Sequence, residues 1–312
     1  MVIALAAAVV LGCAGDAEQA QPAETPDTSA ADVAYDVPAF DADAAHALLR
    51  RQVEFGPRVP NTAGHRAQLA WLLEYLGERA DTVYPQRFTY RAGETTLELA
   101  NVFARFNPDS PRRILLLAHW DTRPTADEET DEAKRAQPID GANDGASGVA
   151  VLLQLADMFA RQRPEIGVDL LLTDGEDYAP GHMYLGATHF AANVGGYRPM
   201  YGVLVDMVGD LTPRFPVEAY SRQYAPEVVQ RVWTLAHELG YGAMFPQDTG
   251  LPISDDHLPL NQAGIRTINI IDFDYGTGNS LWHTTADVVE NTGTAGLRAV
   301  GTVLANLVYR GG

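Results

Sequence analysis

Six short stretches of this chain set histidine or carboxylate side chains beside apolar runs. They are His119-Trp120-Asp121, Gly141-Ala142-Asn143-Asp144-Gly145-Ala146-Ser147-Gly148, Asp174-Gly175-Glu176-Asp177, Asp206 with Asp210, Asp255-Asp256-His257, and Trp282-His283. Imidazole nitrogen and carboxylate oxygen are the donors a tetrahedral zinc takes, with one place left for substrate. Taken singly, each stretch has a plainer reading. Asp144 could cap the helix that begins beside it, His119 could be a satisfied core histidine, and Glu176-Asp177 could be a solvated turn. Asp206 is harder to explain away. It follows the apolar run Val203-Leu204-Val205, where burying a carboxylate without a partner is costly.

The elements that must bring these residues together follow from hydrophobic periodicity. Apolar residues at helical spacing predict helices over Asp41–Glu54, Ala63–Leu76, Ser147–Ala160, Ala225–Leu239 and Gly293–Tyr309, with Asp41 placed to cap the first. Short apolar runs predict strands at Thr96–Phe106, Arg113–Ala118, Gly167–Thr173, Met200–Val205 and Thr267–Ile271. Buried strands alternating with helices indicate an α/β fold, a largely parallel sheet covered on both faces. Ligand sites in open α/β sheets collect at the carboxyl ends of the strands. His119, Asp174 to Asp177, and Asp206 all fall at such ends. This shared placement at one sheet edge makes the set a candidate site.

In order and content the motifs resemble those of the zinc aminopeptidases and their relatives, the glutaminyl cyclases. The residues that carry the resemblance are His119-Trp120-Asp121-Thr122, Asn143 to Gly148, Asp174-Gly175-Glu176-Asp177, Val205-Asp206-Met207-Val208-Gly209, Asp255-Asp256-His257-Leu258-Pro259 and Trp282-His283-Thr284. Phe55-Gly56-Pro57-Arg58-Val59-Pro60 is similar to the bacterial members, and the likeness runs from there to the C-terminus. It implies a single zinc-aminopeptidase-like domain with a mixed, twisted sheet. It further implies Asp144, Asp177 and His283 as zinc ligands, and Glu176 as general acid and base. Asp206 and Asp255 would form a hydrogen-bonded carboxylate pair, and Trp282 would line the substrate pocket. Two departures stand out. Asp177 occupies a ligand position that is often Glu, and a tryptophan that the animal cyclases carry after the catalytic Glu is missing, with His182 nearby.

The resemblance leaves two activities. A cyclase would use one zinc to polarise the γ-carboxamide of an N-terminal glutamine while Glu176 carries the proton, giving pyroglutamate and ammonia. An aminopeptidase would hold a second zinc through the His119 and Asp206 positions and hydrolyse the first peptide bond. The doubled Asp255-Asp256 and the Trp282 that precedes His283 resemble the cyclase branch. A catalytically dead binding module would have no use for Glu176. Peptide or protein N-termini are the implied partners, and the chain is expected to be monomeric.

Lys+Arg 22 against Asp+Glu 41 gives a net charge of −19, which repels phosphate backbones and argues against nucleic acid as a partner. Residues 1–13 read as a signal segment ending in Val10-Leu11-Gly12-Cys13, similar to a bacterial lipobox, although no Lys or Arg lies near Met1. Cys13 is the only cysteine. The expectation is a cell-envelope or periplasmic lipoprotein that meets the membrane only through an anchor on Cys13, or a secreted protein. Residues 14–39 read as a flexible tether and 40–312 as the catalytic domain. The acidic stretch Asp121–Asp140 is read as a solvated surface insertion.

Overall fold

A computed structural model describes residues 35–312, together with residues 1, 2, 4, 5 and 7. Cys13 and almost all of the expected tether lie outside the described residues. Among the described residues no helix is long and apolar enough to cross a membrane.

Four fully buried strands form the centre: β3 (Arg113–His119), β4 (Gly167–Thr173), β5 (Gly202–Asp206) and β6 (Thr267–Ile271). They run parallel in the order β4-β3-β5-β6. A hairpin of β1 (Thr82–Ala92) and β2 (Thr95–Phe106) extends this sheet to six strands, β2 lying antiparallel to β4. The sheet is therefore mixed, with its antiparallel part confined to one edge.

Side chains alternate across the pleat, so each strand feeds two cores. Ile114, Leu116 and Ala118 of β3 join the larger core, built with α1 (Ala42–Val53), α2 (Ala63–Gly77), α3 (Ala146–Arg161), α6 (Pro226–Glu238) and α8 (Thr294–Tyr309). Leu115 and Leu117 face the opposite side, with α4 (Leu185–Ala192) and the short α7 (His257–Gln262). A further short helix, α5 (Ala219–Tyr224), packs against β6. Asp41 caps α1 by accepting from Asp43 N and Ala44 N.

Strand β1 was not predicted. It is an edge strand of alternating exposed and half-buried residues, with Pro85 inside it, and proline argues against a central strand. The strand is nevertheless paired with β2 along its whole length. Its two-residue turn at Gly93-Glu94, with Gly93 at φ +57°, has weaker hairpin chemistry than Asn-Gly or Asp-Gly.

At the amino end of β4 lies a fully buried carboxylate, Asp169. Arg113 meets it at 2.6 and 3.0 Å, Arg105 at 3.1 Å, and the Tyr197 hydroxyl at 2.7 Å. Two guanidinium groups and a phenol leave this charge fully partnered.

Candidate metal centre

The carboxyl ends of β3, β4 and β5 carry His119, the loop Asp174–Asp177, and Asp206. Asp144 arrives from the loop before α3. It does not cap that helix: Gly145, at φ +93°, holds the cap position and no side chain caps it. A side chain at Gly145 would also collide with the Asp121 carbonyl, and one at Gly148 would meet the Val205 carbonyl at 2.1 Å. These glycines let α3 start hard against β5, leaving the Asp144 carboxylate free to face the histidines.

Two triads result, and they share Asp144. In the first, His283 Nε2 stands 3.4 Å from Asp144 Oδ2 and 3.3 Å from Asp177 Oδ2. Ligands at about 2.0–2.1 Å from a tetrahedral zinc stand roughly 3.3–3.4 Å apart, so this spacing suits the ion. Asp177 Oδ2 is buried and has no hydrogen-bond partner, an orphaned acceptor of the kind a cation satisfies. In the second triad, His119 Nε2 lies 3.1 Å from Asp144 Oδ1 and 3.2 Å from Asp206 Oδ1, and the Asp206 contact is a hydrogen bond.

Glu176, Asp206, Asp255, Trp282, Asp144 and Asp177 line a pocket of about 290 Å³. Burial raises the Glu176 carboxyl well above its usual range; the charges of Asp255 and Asp177 add to this, and His119 opposes it. Burial likewise raises Asp206 and Asp255, the latter strongly, with the charge of Asp206 contributing. Burial disfavours a charged His119, yet hydrogen bonding to its carboxylate neighbours outweighs this and raises its pKa. Trp282 stacks on His283 at 3.7 Å and meets Phe273 edge-on at 5.0 Å.

Both acids of the implied Asp206–Asp255 pair have further partners. The hydrogen bonds of Asp255 go to Asp256 N and Asn269 Nδ2, both at 2.6 Å, while Asp206 bonds His119. The two carboxylates share the pocket, and the charge of Asp206 helps to raise the Asp255 carboxyl. The second acid of the pair, Asp256, turns to the Thr173 hydroxyl, and burial moves its pKa up to about 7.

The expectation for the acidic stretch needs correcting. Its tip is exposed, but Asp121 and Arg123 are buried and its inner residues brace the centre. Asp121 accepts from Glu176 N at 3.0 Å and Asp177 N at 3.1 Å. Arg123 bonds Asp177 Oδ1 and clasps Asp127 at 2.8 and 3.0 Å, and Asp127 Oδ1 lies 3.4 Å from His283 Nδ1. Asp127 thus faces the remote ring nitrogen as a charge contact without a hydrogen bond, on the side where a carboxylate orients a zinc-bound histidine.

Asp287 and Arg58 hold the Asp144 loop from behind. Asp287 accepts from Asn143 N at 2.8 Å, Asp144 N at 3.2 Å and the Tyr275 hydroxyl at 3.1 Å. The buried Arg58 guanidinium donates to the Asp140 and Gly141 carbonyls. No motif in the sequence marks Arg123, Asp127 or Asp287 for these roles. Asp287 sits four residues after His283, the one local signal that pointed to it. His182 bonds the Tyr90 hydroxyl and takes no part in the pocket lining.

Three residues of the lining, Tyr184, Met207 and His283, hold positive φ angles of 58°, 49° and 52°. Side-chain-bearing residues rarely adopt this region, and such positions cluster at functional sites.

Comparison with known proteins agrees with this architecture. The chain is 41% identical to Bacteroides thetaiotaomicron glutaminyl cyclase, whose crystal structure it matches with a TM-score of 0.84 over 88% of this chain and 99% of that one. A leucine aminopeptidase precursor from the same organism matches at 39% identity, with a TM-score of 0.85 and the same coverage. A mouse glutaminyl-peptide cyclotransferase-like protein is 26% identical over 226 residues, 62% of this chain. The chain spans 56 to 64% of the length of the curated relatives it matches. Residues 101–308 of the 312 match Peptidase family M28, and the chain belongs to that family.

Proposed function

We propose that the protein is a glutaminyl-peptide cyclotransferase that closes the N-terminal glutamine of peptides or proteins to pyroglutamate. The observation that carries this reading is the contrast between the two triads around Asp144. The Asp144–Asp177–His283 set keeps an orphaned acceptor at tetrahedral spacing, whereas His119 and Asp206 already satisfy each other with a hydrogen bond. One ion in the first triad would satisfy that acceptor, and the likeness to solved glutaminyl cyclases supports the same branch.

Zinc held there supplies a Lewis acid for the γ-carbonyl oxygen. The chain's own groups do the rest. The pocket holds the α-amine and the γ-carboxamide of one residue together, so the attack is intramolecular. The amine nitrogen bonds to the carboxamide carbon, the bond to the amide nitrogen breaks, and ammonia leaves. Glu176, whose raised pKa suits both halves of the transfer, takes a proton from the amine and delivers it to the departing nitrogen. Trp282 covers the His283 ring and walls the pocket.

A second reading, a two-zinc aminopeptidase, has its own support. Asp144 offers one oxygen to each triad, as a bridging carboxylate would, and an aminopeptidase precursor is among the similar structures. A glutamine-initiated dipeptide tests both. Ammonia release with one zinc per chain is the expected result; a free amino acid with two zincs overturns it.

A cell-envelope location with an anchor on Cys13 is also proposed, on the sequence signal alone; labelled-lipid incorporation lost in Cys13→Ala is the check.

A further inference from the structure

A second cavity, of about 760 Å³, adjoins the metal pocket and shares Leu251, Ile253, Ile271 and Phe273 with it. None of the metal triad lines it, and neither does Glu176. Leu251 stands exposed on the divide between the two spaces, and Phe273 links the divide to Trp282 above the metal triad. A residue enclosed in the metal pocket has to pass its carboxyl side outward, and the shared apolar wall leads to this second space.

The cavity is acidic. Arg214 is the one cation among its described lining residues, and Asp248 engages its guanidinium at 3.0 and 3.2 Å. Glu218, Asp272 and Asp274 remain. Glu218 is occupied by the amides of Tyr220, Ser221 and Ile253. Asp272 is only 3% exposed and accepts from Arg214 N and Asp274 N. Asp274, exposed, accepts from Asn279 N. Among the described residues neither Asp272 nor Asp274 has a side-chain cation as partner, so the field at the floor of the cavity is negative.

We infer that this cavity receives the peptide residues that follow the N-terminal glutamine, and that it selects a lysine or arginine side chain at the second or third of them. The inference rests on the cyclase reading above. A subsite remote from the reacting atoms grips ground state and transition state alike, so its contribution appears in KM. A partly solvated charge pair is screened by salt, so the preference fades as ionic strength rises.

The test compares Gln-Lys-Ala-amide with Gln-Glu-Ala-amide on the zinc-loaded enzyme, with glutaminamide as the substrate that lacks a second residue. The lysine peptide is expected to win in kcat/KM by about tenfold at low salt, through KM. Asp274→Asn, which keeps an acceptor for Asn279 N, reduces that ratio, and Asp274→Lys brings it to about one or below. If glutaminamide releases ammonia but the wild-type ratio is near one, or if both variants keep the wild-type ratio, the subsite falls and the cyclase reading stands. No ammonia from any of the three substrates removes the cyclase reading and the subsite with it.

Discussion

Strand β4 has buried acids at both ends, and beyond Asp174, which His65 partners, the two ends treat them differently. At the amino end Asp169 is surrounded by Arg105, Arg113 and Tyr197, so its charge is answered within the protein. At the carboxyl end Glu176 and Asp177 sit with Asp144, Asp206, Asp255 and Asp256, and the cations at hand are Arg123 and two histidines. There burial wins for most of the acids and their pKa values rise. A buried carboxylate that the fold neutralises belongs to the scaffold, and a cluster that it leaves short of positive charge is arranged around something the chain does not itself supply.

This contrast can be broken most severely at the carboxyl end. His283→Ala removes one of the three proposed ligands, and zinc content measured by mass spectrometry is expected to fall with activity at background; full retention of zinc would dissolve the distinction between the ends. Glu176→Gln is expected to lower kcat by about 10²–10⁴ while leaving zinc bound. Its thermal midpoint should equal or exceed the parent's, because a costly buried acid has been removed. At the amino end, Asp169→Ala should show the reverse pattern, with about 3–5 kcal/mol of stability lost because two guanidinium groups are left without their counter-ion. Its kcat at a temperature where it remains folded should match the parent's, as read by denaturant titration beside the ammonia assay. The smallest effect is expected at Asp127→Asn, where zinc affinity drops about 10–100-fold by competition with a chelator and kcat recovers at saturating zinc.

Much of this contrast was written locally in the chain. The parallel strands announced themselves as short apolar runs, broken only by Asp169 in β4 and Asn269 in β6 among their inner residues, and the metal triad as motifs near their ends. What escaped was of two kinds. The edge strand β1 and the short helices α4, α5 and α7 lacked a period long or clean enough to read. The bracing residues escaped because their meaning is entirely tertiary. Arg123 is an ordinary arginine in an acidic stretch until Asp177, 54 residues away, comes to meet it. Asp127 looked solvated for the same reason, and the Asp255–Asp256 doublet gave no hint that its members turn to different partners.

The left-handed backbone at Tyr184, Met207 and His283 has a thermodynamic consequence. Conformations of this kind cost about 1–3 kcal/mol each and persist only where their surroundings insist on them. For His283 an ion held with Asp144 and Asp177 would be one such surrounding. Withdrawing the ion therefore loosens more than a coordination shell: it removes a reason for that peptide to stay as it is. The rim of the apo-protein should exchange its amide hydrogens faster than the holo-protein's, while β3 and β4 beneath it keep the same protection.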